Sequence, residues 1–253
     1  MSDMITFKAD GAEVQGRKGA SLLETLLREG FEIPHLCHHE AVDTYGACRL
    51  CLVEIRRHGR ARIATSCNYP VMEGIDVATA GEKVLRLRRL TLELHLARAP
   101  KSEPLRRYAA QMGVHETRFR VSDPANDCIL CGLCERVCTE VIGAGAIGFS
   151  GRGARKELTT PYEGENAACI GCGSCARICP TGCIQIIDKG NVREMPAIHA
   201  RHELVPCRVC GAPTVTKAHA AWLAAKTKMG EADATTCDRC KAKGVAQVVL
   251  RTF

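Results

Sequence analysis

The sequence predicts an α+β chain built from several small modules, each organised by cysteines, in place of one large core. Three observations carry that reading. Seventeen cysteines fall into four groups of four with one left over, one group recurs 41 residues downstream (Cys128 to Cys169), and the N-terminal stretch alternates as strand, strand, helix ahead of its first cysteine. At about 100 to 150 residues per domain, 253 residues give room for two or three modules. Aromatic residues are only 4% of the chain, so no large aromatic core can form. So many thiols, with no charged-then-apolar leader at the start and no apolar run of about 18 residues, point to metal sites in a reducing compartment, read as the cytoplasm, without membrane insertion.

In MITFKADGAEVQG, Ile5, Phe7 and Ala9 alternate along a strand, Asp10-Gly11 turns the chain, and Ala12 and Val14 return as the second strand of a hairpin. Ser21 and Glu24 form a capping box for a helix with Leu22, Leu23, Leu26 and Leu27 on one face, closed by Gly30. The loop HLCHHEAVDTYGACRLCLVEI then places Cys37, Cys48 and Cys51 at spacings of ten and two residues, and Cys67 follows two more candidate strands, CLVEI and RIATS. This order resembles a β-grasp ferredoxin domain over residues 1–80, with Cys37, Cys48, Cys51 and Cys67 as [2Fe-2S] ligands. Plant-type ferredoxins space the first two ligands by four residues, so the wider gap is a departure. With four cysteines in the site, His35, His38 and His39 read as supporting or surface groups.

Residues 81–122, including GEKVLRLRRLTLELHLARAPKSEPLRRYAAQMG, carry a helical pattern and no cysteine. His95 stands alone there, with too few donors beside it for a metal site.

Residues 127 to 138 read DCILCGLCERVC. Cys128, Cys131 and Cys134 are too close in sequence to bridge one another without strain. Their spacing matches the C-x2-C-x2-C-x3-C run that ligates cubane clusters. CILCGLCERVC and CIGCGSCARIC agree at every cysteine and at Ile, Gly and Arg, which marks a two-cluster ferredoxin-like domain over residues 123–190. In such domains the fourth cysteine of each run crosses to the other cluster. By that rule Cys128, Cys131, Cys134 and Cys179 hold one [4Fe-4S] cluster, and Cys138, Cys169, Cys172 and Cys175 the other. Gly132 and Gly173 suit close approach of the backbone to a cluster. Pro180 fits the motif and Thr139 departs from it.

Residues 191–253 carry Cys207-x2-Cys210 and Cys237-x2-Cys240, a zinc-ribbon-like pattern with Gly211 at the tight turn. Zinc is the expected occupant and iron the alternative, since four thiolates suit either. The helix in TKAHAAWLAAKTKM holds Trp222, the single tryptophan, and suggests a docking surface; removing the chain beyond about residue 200 is then expected to leave the clusters undisturbed. Cys183 is the cysteine left over and reads as a small buried apolar residue.

The runs SLLETLLREGFEIPHLCHHE, YGACRLCLVEI and TSCNYPVMEGIDV resemble the [2Fe-2S] domain of the large iron–sulfur subunit of complex I. They also resemble the diaphorase iron–sulfur subunit of NAD-reducing hydrogenases and the N-terminal region of iron-only hydrogenases. CILCGLCERVC and CIGCGSCARICPTG extend the likeness over residues 1 to 190. The family's additional cluster on one His and three Cys is absent here, because the linker has no cysteines. The resemblance implies an electron-transfer subunit with one [2Fe-2S] and two [4Fe-4S] clusters, passing single electrons between a flavoprotein subunit linked to NAD(P)H and a distant catalytic subunit in a hetero-oligomer. The chain shows no active site of its own: GAGAIGFSGRG lacks the spacing of a dinucleotide fingerprint. A free ferredoxin-like carrier and a metal-sensing nucleic-acid-binding regulator are the alternatives. The first is usually small and acidic. Against the second, the net charge of +7 is scattered along the chain with no concentrated basic motif, so no nucleic acid is expected.

Overall fold

A computed structural model describes residues 3–160 and 166–243. Two compact units emerge, Met1–Arg136 with Pro180–Gly182, and Val137–Cys179 with Cys183–Phe253.

The first unit is built on a five-stranded sheet. β1 (Met4–Ala9) pairs antiparallel with β2 (Ala12–Arg17), Phe7 opposite Val14 and Ala9 opposite Ala12. Asp10 and Gly11 both have positive φ, 47° and 84°, as a two-residue turn that matches strand twist requires. Alternation puts Phe7, Ala9 and Val14 inside, against α1 (Leu22–Arg28), whose Leu22, Leu23 and Leu26 are fully buried. Ser21 caps that helix, its side chain accepting from the Glu24 N–H, as the sequence predicts. β3 (Leu52–Arg57) and β4 (Arg60–Thr65) form a second antiparallel hairpin. The short β5 (Asp76–Ala78) lies between the hairpins, parallel to β1 and antiparallel to β3, giving the order β2-β1-β5-β3-β4.

Two helices follow, α2 (Glu82–Arg98) and α3 (Glu103–Gln111), the latter capped by Ser102, whose hydroxyl also donates to the Thr181 carbonyl at 2.9 Å. Arg88 of α2 is buried and donates to the Leu52 carbonyl of β3, which ties helix to sheet. The unit's long stretch ends at the single-turn helix α4 (Leu133–Arg136), and Pro180–Gly182 return to it.

The second unit opens with a π-helical stretch, Val137–Ile142, then the hairpin of β6 (Gly148–Ser150) and β7 (Glu157–Thr159), and the single-turn helix α5 (Ser174–Arg177). An antiparallel meander follows: β8 (Ile187–Lys189), β9 (Val192–Met195), β10 (Ala200–Pro206) and β11 (Pro213–Thr216). Two helices, α6 (Lys217–Lys226) and α7 (Glu231–Ala234), complete it. This meander is the main element that sequence reasoning missed, since IDKGNVREM is short and charged and offers no clear alternation. No helix among the described residues is long and apolar enough to cross a membrane.

Candidate metal centres

In the first unit Cys37, Cys48, Cys51 and Cys67 are gathered and buried, each at most 4% exposed. They associate as pairs. A side-chain hydrogen bond from Cys48, with N–H groups of Cys48 and Ala47, holds the Cys37 thiol down to about 6 against its burial, and the Cys48 thiol is correspondingly raised. Cys67 does the same for Cys51, held down to about 7, while Cys67 itself is raised. The depressed member of each pair is thus ready to be a thiolate at neutral pH, the form that binds metal. Surrounding groups fix the main chain: the Ser66 hydroxyl donates to the Cys51 carbonyl at 2.9 Å, and the Ser21 hydroxyl donates to the Cys67 carbonyl at 3.3 Å. His95 is buried on α2, its Nε2–H donating to the Cys48 carbonyl at 2.8 Å, and burial lowers its pKa. The lone linker histidine is therefore a strut for a cysteine loop. Of the flanking histidines, His35 bonds the Ile33 carbonyl through Nδ1 and His38 faces Glu24.

Cys128, Cys131 and Cys134 share the loop that leads into α4. Leu130 adopts φ 56°, which turns its N–H toward the Cys128 sulfur at 3.4 Å. Asn126 clamps the loop entrance by donating to the Cys128 carbonyl and accepting from the Cys128 N–H.

In the second unit the repeat reproduces that geometry. Gly171 has φ 66° and its N–H donates to the Cys169 sulfur at 3.3 Å. Cys138, Cys169, Cys172 and Cys175 line one recess walled by Val137, Ile142, Ala146, Ile147, Met195 and Ile198. The Ala146 N–H donates to the Cys138 sulfur at 3.3 Å. Burial, then the neighbouring thiols, push Cys175 up to about 12, and burial raises Cys138 and Cys169 as well. Raised in this way the thiols are neutral, and binding a metal there would release their protons. Gly173 also has positive φ, and a Cβ there would lie 2.5 Å from Ile186 Cδ1. Cys179 and the leftover Cys183 are half-buried in this unit.

The C-terminal meander supports this recess directly. The Thr216 hydroxyl donates to the Ile170 carbonyl at 2.5 Å, Arg193 donates to the Gly171 carbonyl at 3.0 Å, and Trp222 Nε1–H donates to the Ile142 carbonyl at 2.8 Å. Trp222, expected on a docking surface, is engaged inside its own unit. Thr216 and Trp222 thus tie the chain beyond residue 200 to the segments that carry Cys138 and Cys169.

Cys207, Cys210, Cys237 and Cys240 bring their sulfurs within 4.8 Å of one another, the single such donor set among the described residues. Cys210 and Cys237 sulfurs lie 3.7 Å apart. A tetrahedral ion with metal–sulfur bonds near 2.3 Å separates its sulfurs by about 3.8 Å. N–H groups of Cys237, Cys210 and Val209 hold the Cys207 thiol down to about 6, whereas side-chain bonds to Cys237 and Cys210 push Cys240 up to about 12. Gly211, with φ 72°, closes the knuckle by donating to the Cys207 carbonyl at 2.9 Å.

Residues 2–82 match the family of 2Fe-2S iron-sulfur cluster binding domains, and residues 127–183 match the 4Fe-4S dicluster domain. The NADPH-Fe(3+) oxidoreductase subunit alpha of Geobacter sulfurreducens is 34% identical over 203 residues, 71% of this chain and 24% of that protein. The NADH-ubiquinone oxidoreductase 75 kDa subunit of Reclinomonas americana is 29% identical over 204 residues, 72% of this chain and 29% of that protein. The chain thus spans less than a third of the length of these relatives. A chain in the crystal structure of NAD+-reducing [NiFe]-hydrogenase in the H2-reduced state superposes with a TM-score of 0.63 at 26% identity, covering 91% of this chain and 99% of that one. The resemblance read from residues 1 to 190 is borne out, and this coverage carries the structural likeness beyond residue 190.

Proposed function

From a chain that matches a 2Fe-2S domain, a 4Fe-4S dicluster domain and subunits of NAD(P)H-linked oxidoreductases, we propose an electron-transfer subunit that conducts single electrons from a flavoprotein to a catalytic subunit on another chain. Cys37, Cys48, Cys51 and Cys67 would hold a [2Fe-2S] cluster. Cys138, Cys169, Cys172 and Cys175 would hold one [4Fe-4S] cluster. Cys128, Cys131, Cys134 and Cys179 would hold the second by the crossed pattern of the duplicated motif. Carriage of one electron at a time is the chemistry these groups supply when bound. Cys207, Cys210, Cys237 and Cys240 would bind zinc, a redox-inert ion that folds a segment too small for its own core. The donor set fits such groups: soft thiols, buried or half-buried apart from Cys210, with main-chain N–H groups aimed at their sulfurs.

The protein's own residues bind, order and seal. Leu130, Gly171 and Ala146 N–H groups stabilise negative charge on sulfur, and the apolar wall of Met195 and Ile198 excludes water from one site. Working sites for such thiols suit the reducing cytoplasm. The observation that carries the reading is the convergence of Cys138 with Cys169, Cys172 and Cys175 around a single recess. Elemental analysis of anaerobically prepared protein should give about ten Fe (4 + 4 + 2) and about one Zn per chain. Fewer than about eight Fe would overturn the three-cluster reading. Copurification with a flavin-binding chain tests the partner.

A further inference from the structure

Arg136 is 7% exposed, and its guanidinium reaches across two cysteine loops of the first unit. Nη2 donates to the carbonyl of Cys37 at 2.9 Å and to that of Cys131 at 3.5 Å, and Nη1 donates to the carbonyl of Asp43. The Tyr45 ring lies beneath it, 5.4 Å from Cζ to centroid, and a Cβ on Gly132 would come within 3.3 Å of that ring. An arginine does not shed its proton, so this is a permanent buried cation. Among the described residues no carboxylate forms an ion pair with it, and its Nε is buried without a hydrogen-bond partner. Carbonyl dipoles only partly offset the cost of burying such a charge.

Motif sterics do not demand this burial. Arg177 holds the same position in the repeated run and is exposed.

We propose that Arg136 is a positioning residue that fastens the Cys37 loop to the Cys131 loop and sets a fixed positive charge between the two clusters these loops hold. The inference rests on the ligand assignment above. A fixed cation favours the reduced, more negative state of each neighbouring cluster, so it raises both reduction potentials. Its fork keeps the two clusters at one separation. Lysine supplies the charge but not the planar fork.

The test is a redox titration followed by electron paramagnetic resonance on the full-length, cluster-loaded chain. Arg136→Gln should lower the [2Fe-2S] midpoint by at least tenfold in the one-electron equilibrium constant, about 59 mV. Arg136→Lys should recover at least half of that shift while still losing the relaxation enhancement between the [2Fe-2S] and neighbouring [4Fe-4S] signals. Arg177→Gln should move the [2Fe-2S] midpoint less than twofold. Should Arg136→Gln fail to fold, Tyr45→Leu decides the matter, because Tyr45 is 47% exposed and its loss leaves the core intact; it should lower the midpoint about threefold. An unmoved midpoint in Arg136→Gln with iron content retained, or in Tyr45→Leu where the first variant does not fold, overturns the inference. So does an equal shift in Arg177→Gln. Wild-type protein lacking both signals overturns the ligand assignment and this inference together, whereas intact wild-type signals with unmoved variants overturn this inference alone.

Discussion

The two copies of the cysteine run agree at four cysteines, an isoleucine, a glycine and an arginine, yet they are held in place by different means. In the first copy the main chain is steered from within its own unit by Asn126 and by the buried Arg136. In the second, steering comes from the distant meander, through Thr216 and Arg193 on the carbonyls of Ile170 and Gly171. The left-handed residue after the first cysteine shows the same division. It is Leu130 in one copy and Gly171 in the other, at φ 56° and 66°. A leucine there costs about 1–2 kcal/mol of backbone strain, which the open first loop tolerates. At Gly171 a Cβ would sit 2.6 Å from Thr216 Cγ2 and 2.8 Å from His202 Cδ2, so the meander leaves no room for one. The duplication thus preserves the cysteines and the backbone turn while each copy acquires its own neighbours.

Truncation should break this comparison most severely. Ending the chain after Lys189 removes Arg193, Thr216 and Trp222, and with them every meander contact to the second loop named above. We expect loss of about four Fe of ten, measured by elemental analysis, with the first loop's spectrum retained. Cys138→Ser should likewise damage the cluster of Cys169, Cys172 and Cys175; spectra showing damage confined to the Cys128 loop would sink the crossed assignment. Exchanging the left-handed residues comes next. Gly171→Leu should destabilise by about 3 kcal/mol or more, through strain and overpacking combined, while Leu130→Gly should stay within about 1 kcal/mol of the parent in thermal unfolding. A smaller effect is expected of Thr216→Val, about 1–2 kcal/mol for an Ile170 carbonyl left without its donor.

The smallest concerns Asp188, whose carboxylate fixes Arg193 through two hydrogen bonds of 2.9 and 2.8 Å. Arg193 holds the Asp188 carboxyl below the usual carboxylate range. A depressed folded-state pKa contributes stability above the unfolded value, and that contribution is lost as pH falls through the folded one. Asp188→Asn should therefore cost less than about 1 kcal/mol at neutral pH, given the exposure of the pair, and nothing in strong acid. A pH series of urea midpoints checks the sign.

Much of the first unit was legible because its signals are local. Alternation of Phe7 and Ala9, the turn at Asp10-Gly11 and the box from Ser21 to Glu24 each involve a few adjacent residues, and the cysteine spacings are fixed by the reach of a single loop. Arg136 and Arg177 show where local reading stops. Identical motif positions carry no trace of which arginine will be buried, since that depends on Tyr45 and the Cys37 carbonyl some 90 residues away, as the 93- and 99-residue separations of its bonds record. The bond of Trp222 was illegible for the same reason: its donor meets a carbonyl 80 residues earlier. His95 was placed on its helix by the lack of cysteines around it, but its bond to Cys48 spans 47 residues and left no mark in the pattern.

The position of β5 has a consequence for how the protein is made. β1 and β3 have no hydrogen bonds to each other; each pairs with β5, the last strand of the sheet to be synthesised. Without β5 the strands form two separate hairpins, with no common sheet to gather the segments that carry Cys37, Cys48, Cys51 and Cys67. Closure comes when β5 emerges and Thr79 donates its N–H to Asp10 at 2.8 Å, a link across 69 residues. Long-range pairing of this kind is slow and comes late in folding. A chain that stops short of residue 79 lacks both the strand that joins the two hairpins and the Thr79–Asp10 link that fastens it.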